Sequence, residues 1–300
     1  GVEYTNLNRQ NYMGRDTKNG FRDQGRAELV DNIATNYLVE NIVNYDREFG
    51  KHTLALTGLY SYQSFTRDVR RLNSRGFPGD ELTWYQASSA AVIQPGYSFS
   101  DQTTLSNMLR INYNYEDRYL LTLTGRRDGF SGFGENQKWG NFYSGAAGWN
   151  AHNEVFLRES IFDQLKLRVS YGLNGNQAIG PYETLTTLKR RPYLDGSSTA
   201  PGFVPDDIGN PDLRWESTLM GNIAIDYALV KNRLRGTIEY YESKTNDLLL
   251  SKTISPVSGD GNNAMTDNIG ELKNSGIEVL ISGDIIRKTD FKINMTGNFE

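Results

Sequence analysis

His52 and His152 are the only imidazoles in 300 residues, and cysteine is absent. Base and nucleophile chemistry therefore has two places to start. His52 opens an alternating segment beside a turn, and His152 falls in a turn region. Neither stands in a recognisable catalytic constellation with a Ser and an Asp, or in a metal-binding cluster. The lack of cysteine removes disulfide frameworks, zinc–thiolate sites and thiol nucleophiles together. Carboxylates are plentiful, so some pair will fall at glycosidase separation, but without a pocket this has no specificity. Gly129 to Gly134 invites a phosphate-binding loop. However, Gly132-Phe133-Gly134 is followed by Gln137 where a third glycine belongs, and no βαβ pattern surrounds it. A structured loop at a strand end is the expectation. Within residues 258–267, Asp260-Gly261-Asn262-Asn263 and Asp267 offer oxygen ligands for Ca2+. They lack the spacing and closing Glu of an EF-hand, and Asn- and Gly-rich loops are common without metal. The remaining chemistry is recognition. Trp84, Tyr85, Arg190, Arg191 and Tyr193 lie in polar connecting stretches, where they could stack on a sugar or touch a partner. Ordinary loop packing is the alternative.

The elements that must position these residues are strands. Residues 51–63 put Leu54, Leu56, Tyr60 and Tyr62 on one face and Thr53, Thr57, Ser61 and Gln63 on the other. Residues 104–115 set Leu105, Leu109, Ile111 and Tyr113 against Ser106, Arg110, Asn112 and Asn114. Period-two alternation of this kind marks strands with one apolar and one polar face. Counted along the chain it predicts about ten, near 36–46, 51–63, 104–115, 118–127, 140–150, 164–174, 215–228, 233–245, 273–286 and 290–300. Asn153 to Ile161 is the one plausible helical turn.

Connections supply a second rhythm. Tight turns are expected at Arg47–Gly50, Glu116-Asp117, Val230–Asn232 and Arg287–Thr289. Long polar stretches (64–103, 128–139, 175–214 and 246–272) fall between them, and 151–163 is a mid-length connection in a short slot. Outer-membrane barrels have this alternation, because their periplasmic turns are short and their extracellular loops long.

Hydrophobic content of 37% and mean hydropathy of −0.58 fit the same reading. No run approaches the roughly 18–20 apolar residues of a transmembrane helix. Barrel strands escape that test because only alternate residues face lipid. A strand of about ten to thirteen residues, tilted near 45°, covers about 25–30 Å. Tyrosines near strand ends, Tyr37, Tyr45, Tyr113, Tyr119 and Tyr240 among them, would form interfacial girdles. The formal charge of −4 gives no case for nucleic-acid binding. Polar faces then become lumen faces. Arg110, Arg126, Lys166, Arg168, Glu216, Arg235, Glu239 and Glu278 are lumen-facing candidates, either for solute selection or for mutual salt bridging.

Several blocks resemble the SusC/RagA family of TonB-linked outer-membrane transporters. Residues 119–149 (YLLTLTGRRDGFSGFGENQKWGNFYSGAAGW) are similar to its strand–DGSSRFG-like loop–KWG–FPS–GW block, with Tyr143-Ser144 in place of Pro-Ser. Residues 165–177 (LKLRVSYGLNGNQ) and 210–250, from Asn210-Pro211-Asp212-Leu213-Arg214-Trp215 onward, resemble two more, as do 268–281 (NIGELKNSGIEVLI). They occur in family order over most of 35–300.

The resemblance implies a barrel of about 22 strands around a plug. It also implies a TonB box, a SusD-like surface lipoprotein as partner, and TonB supplying force for import of an oligosaccharide or peptide. The chain is thus expected to be an all-β, antiparallel segment (1–300) of an incomplete transmembrane barrel in the outer membrane, with 1–35 as a preceding loop or strand remnant. Gly1 follows no initiator Met or leader, and residues 291–300 alternate and then stop, which reads as a fragment. A severed sheet has two open edges and needs the missing strands, because lipid cannot satisfy backbone N–H and C=O groups. Contact with outer-membrane lipid is expected; no cofactor, metal or enzymatic site is. A passive porin is the alternative reading, followed by a barrel enzyme and a soluble β-sandwich adhesin.

Overall fold

The computed structural model describes residues 1–255, 257, 264–288 and 290–300. Its strands in chain order begin with β1 (Val2–Met13), β2 (Arg26–Phe49), β3 (His52–Arg75), β4 (Val92–Tyr115), β5 (Tyr119–Phe130), β6 (Trp139–Asn150) and β7 (Phe162–Asn176). Four short strands follow: β8 (Leu188–Arg190), β9 (Tyr193–Asp195), β10 (Ser198–Ala200) and β11 (Phe203–Pro205). The chain ends with β12 (Glu216–Leu229), β13 (Leu234–Asn246), β14 (Leu249–Thr253), β15 (Ala264–Asn268), β16 (Glu271–Arg287) and β17 (Lys292–Phe299). Eleven of these form one sheet in the order β1-β2-β3-β4-β5-β6-β7-β12-β13-β16-β17, with β1 and β17 at its ends. The short strands make three separate hairpin ladders, β8–β11, β9–β10 and β14–β15.

Each strand of the large sheet lies beside its predecessor in the chain, so this is a meander. Apart from 151–161, the connections at one end are tight. Glu116 and Asp117 both take positive φ (54° and 52°), the twist of a two-residue hairpin turn. Val230, Lys231 and Asn232 do the same between β12 and β13. The mid-length connection 151–161 belongs to this end too, and forms two single 3-10 turns, Ala151–Asn153 and Val155–Leu157. The long loops all lie at the other end. Thr289, in the expected last turn, is outside the described residues, as are Asp260 to Asn263 of the calcium stretch.

Residues 1–35, expected as a loop or a strand remnant, are mostly strand: β1, an eleventh, and the first part of β2. One expectation needs correction. Much of the expected loop 64–103 is also strand, since β3 runs to Arg75 and β4 starts at Val92. Over 64–75 both faces are largely polar, and over 92–103 Ile93, Tyr97 and Phe99 keep one parity but Pro95 and Gly96 interrupt the pattern, while backbone pairing continues. Asn36 accepts from Gln63 (3.0 Å) and Asn32 from Arg67 (3.0 Å) across β2 and β3.

By contact density the chain divides into two units, Gly1–Val39 with Ser61–Thr104, and Glu40–Tyr60 with Leu105–Glu300. In the first, Asp80 ties the β1–β2 and β3–β4 loops together: it accepts from the Tyr12 hydroxyl (2.6 Å) and the Arg15 backbone N–H (3.1 Å). In the second, the strand registers make two opposite faces. One apolar row runs Leu121–Ala147–Val169–Ile223–Tyr240–Ile277, and the next runs Tyr119–Trp149–Leu167–Ile225–Ile238–Val279–Phe299. Ile223 is 61% and Ile277 59% exposed. Contiguous apolar rows left open in this way mark a surface that meets hydrocarbon.

Candidate functional site

Opposite the apolar rows lies a polar face, and the expected charges lie on it. The row Gly148–Arg168–Ala224–Glu239–Glu278 crosses five strands. Ala224, wholly buried, offers no side chain that would hold its neighbours apart. Arg168 therefore spans it, reaching Glu239 of β13 at 2.5 Å and Asp226 of β12 at 3.2 Å. The spare oxygens of both carboxylates are also used: Asn222 donates to Glu239 (2.6 Å) and Thr237 to Asp226 (2.9 Å). Ser170 completes the set through Asn222 (2.5 Å). One guanidinium fork thus fastens three strands.

The other lumen candidates separate into held and open groups. Arg126 is held by Asp128 (2.7 Å) and Ser106 (3.1 Å), and Arg110 donates to Thr124 (3.3 Å). Glu216 is buried; it accepts from Asn176 (2.7 Å) and from the Leu249 backbone N–H (2.7 Å) at the base of the β14–β15 hairpin. It is a fastening between wall and loop rather than a displayed charge. Lys166 is half-buried, in register with Asp226, while Arg235 and Glu278 are exposed. Salt bridging and display therefore share the face.

Loops at the long-connection end are anchored by a small aromatic core. Phe133 and Leu213 are fully buried and pack with Phe130 and Trp215. The Phe133 and Trp215 ring centroids are 5.1 Å apart, and Trp215 donates to the Lys138 carbonyl (3.2 Å). A Cβ at Gly134 would fall 1.8 Å from the Pro211 carbonyl oxygen, so only glycine lets these two loops touch. The glycine-rich stretch is therefore a packed loop. Buried Asn210 continues the anchoring, donating to the Thr266 carbonyl and to Asp267. Asn268 accepts from the Arg214 N–H and donates to the Asp247 carbonyl. The Asp247 carboxylate raises the pKa of Arg214, and Lys252 holds Asp267 below the usual carboxylate range.

The expected recognition residues fall in both units. Arg190 and Tyr193 lie on the two short ladders between β7 and β12, with Arg191 in the link between them, and all three are exposed. Leu194 (77% exposed) and Phe203 (67%) project beside them. Trp84 and Tyr85 belong to the other unit; Tyr85 is 80% exposed and lies 5.3 Å from the Trp84 ring. A cleft of about 700 Å3 in that unit is lined by Arg15, Phe21, Arg22, Asp80 and Glu81. Sequence reading missed the anchors Asn210, Leu213 and Asn268. Their signal was available in the clustering of Asn, Asp and Gly beside isolated apolar residues, which marks a structured loop.

At the short-turn end, Glu154 accepts from the Tyr119 hydroxyl (2.8 Å) and Trp149 Nε1 (3.2 Å), with Arg118 at 3.6 Å. These bonds hold the Glu154 carboxyl below its ordinary value. Glu116 is lowered as well, by its ion pair with Lys51 and then by Arg118.

Known proteins share this wall. A TonB-dependent receptor of Formosa agariphila, P3, is 36% identical over 277 residues, covering 92% of this chain and 28% of the relative. The receptor SusC of Bacteroides thetaiotaomicron is 36% identical over 207 residues, 65% of this chain and 20% of its own. Among solved structures, the RagAB peptide importer in its closed-closed state superposes with a TM-score of 0.85 at 25% identity, covering 99% of this chain and 33% of that one. The chain thus spans under a third of the length of the first curated relatives it matches. The family described as TonB dependent receptor-like, beta-barrel matches residues 1–300 throughout, and the chain belongs to it as part of an outer-membrane barrel wall.

Proposed function

We propose that this wall belongs to an importer driven by TonB, which takes up a bulky nutrient of the oligosaccharide or peptide class together with a SusD-like surface lipoprotein. The observation that carries the reading is the two-faced sheet, with a cross-linked polar face behind the apolar rows and anchored loops at one end. A rigid polar wall suits a lumen through which a large hydrophilic solute passes. The kinship with SusC and with RagA of the RagAB peptide importer supports the class of transport.

In this reading Lys166, Arg235 and Glu278 line the path, while Arg110, Arg126, Arg168, Glu216 and Glu239 keep the wall in shape. Trp84, Tyr85, Arg190, Arg191 and Tyr193 meet the nutrient or the lipoprotein from the outside. The test is uptake in cells carrying the intact receptor. Uptake of the cognate nutrient should stop on loss of TonB or of the proton gradient, and a surface lipoprotein should co-purify. Passive conduction of small solutes by the purified protein, with no dependence on TonB, would make it a porin and defeat the proposal.

A further inference from the structure

The apolar face is not smooth. A furrow of about 350 Å3 crosses it between β7, β12 and β13, lined by Val169, Tyr171, Leu219, Gly221, Ile223 and Tyr240. Its floor is low because Gly221 carries no side chain between Tyr171 and Glu242, its partners in register on either side. The end toward the long loops opens on charges. One rung above Gly221, Lys244 of β13 and Lys273 of β16 stand directly opposite each other. Glu242 lies one rung below this pair and bonds Lys273 (3.0 Å); Glu271 lies one rung above and bonds Lys244 (2.9 Å). All four side chains are half-exposed, so these are weak, exchangeable pairs.

We propose that the furrow holds one membrane lipid whose headgroup carries both a phosphate and an ammonium group. Two features select this occupant. The four charges sum to zero, so a purely anionic headgroup would gain two lysines and be repelled by two carboxylates. Outward along the furrow the charges run Glu242, then Lys244 with Lys273, then Glu271, so beyond the Glu242 rung they follow the order within such a lipid. An acyl chain lies against Gly221 and Ile223, the phosphate meets Lys244 and Lys273, and the ammonium reaches Glu271, about 7 Å further along the strand. The tyrosine rings of Tyr171 and Tyr240 flank the chain at the depth where amphipathic rings sit in membranes. The proposal rests on the membrane position of the wall and is independent of what the protein imports.

The test uses the full-length receptor in detergent, stripped of lipid and then exposed to phosphatidylethanolamine or phosphatidylglycerol. Retained lipid is counted by native mass spectrometry. The wild-type protein should retain one phosphatidylethanolamine at least tenfold more strongly than phosphatidylglycerol. Glu271→Gln should reduce that preference, and Lys244→Gln with Lys273→Gln should lose both lipids. Gly221→Leu, which fills the furrow, should lose the lipid with the charges intact. Lys244→Arg with Lys273→Arg should keep it and serves as the folding control. Equal retention of the two lipids by the wild type, or unchanged retention by Gly221→Leu, would overturn the proposal.

Discussion

Arg168 shows why a polar residue on a barrel wall need not be a ligand contact. It reaches two carboxylates on two neighbouring strands, and both have further donors. Its side chain is one-third exposed, so the fork is worth less than a buried pair but more than a surface one. Arg168→Met should cost about 1–2 kcal/mol of wall stability. The shift is measurable as a lower temperature for loss of heat-modifiable electrophoretic migration. Adding Glu239→Gln should recover part of the loss, because the uncompensated carboxylate is then gone; an additive result would mean that the two side chains do not interact. Gly134→Ala is a second residue-scale case. Its Cβ would meet backbone rather than a flexible side chain, so the loops at 131–138 and 210–213 must separate. Faster proteolysis in these loops, with the strands still protected, is the expected outcome.

For single elements, the two faces of a strand should answer oppositely to the same change. Ile225→Lys places a charge on the lipid row and should cost about 2–4 kcal/mol at mid-membrane depth. Thr237→Lys, on the polar face of the adjacent strand, should cost far less in the same migration assay. The turn elements respond to acid. Glu154 and Glu116 are both held below the ordinary glutamate value of 4.5, so their contribution is fully present above it and is lost as pH falls through the lowered values. Trp149 fluorescence should therefore change below about pH 4.5 and stay flat in Glu154→Gln. Strand identity was legible wherever lipid demands alternation, as in Leu165–Tyr171 or Ile223–Tyr227. It was illegible in 64–75, where both faces are polar, and in 92–103, where Pro95 and Gly96 break the alternation of Ile93, Tyr97 and Phe99; pairing there rests on backbone hydrogen bonds. The charges of the polar face were placed by parity alone. Which of them hold each other was not, because the Arg168 fork depends on Ala224 lying between two strands that are far apart in sequence.

Considered whole, the described residues provide eleven strands of one sheet, and three of them, β2, β3 and β4, have 24 residues each. A tilted strand needs only about 9–11 residues to cross hydrocarbon. The surplus is water-facing wall, and it explains why mean hydropathy stays low in a protein whose exposed apolar rows need lipid. The same surplus predicts that detergent will cover only part of these strands. Hydrogen exchange under mild detergent should be slow for β5, β6, β7, β12 and β13 along their whole length. It should be faster for residues 26–36 and 64–75, at the ends of β2 and β3 away from their shared turn.

The carboxylate of Glu216 joins wall to loop in a way that can be timed. One oxygen is committed to Asn176 within the sheet, and the other to the amide of Leu249, where the β14–β15 hairpin begins. That amide cannot exchange with solvent unless the hairpin lifts from the strand end. Leu249 is thus a built-in clock: its exchange rate measures how often the loop lets go, and Glu216→Gln, with its weaker acceptor, should make it run faster.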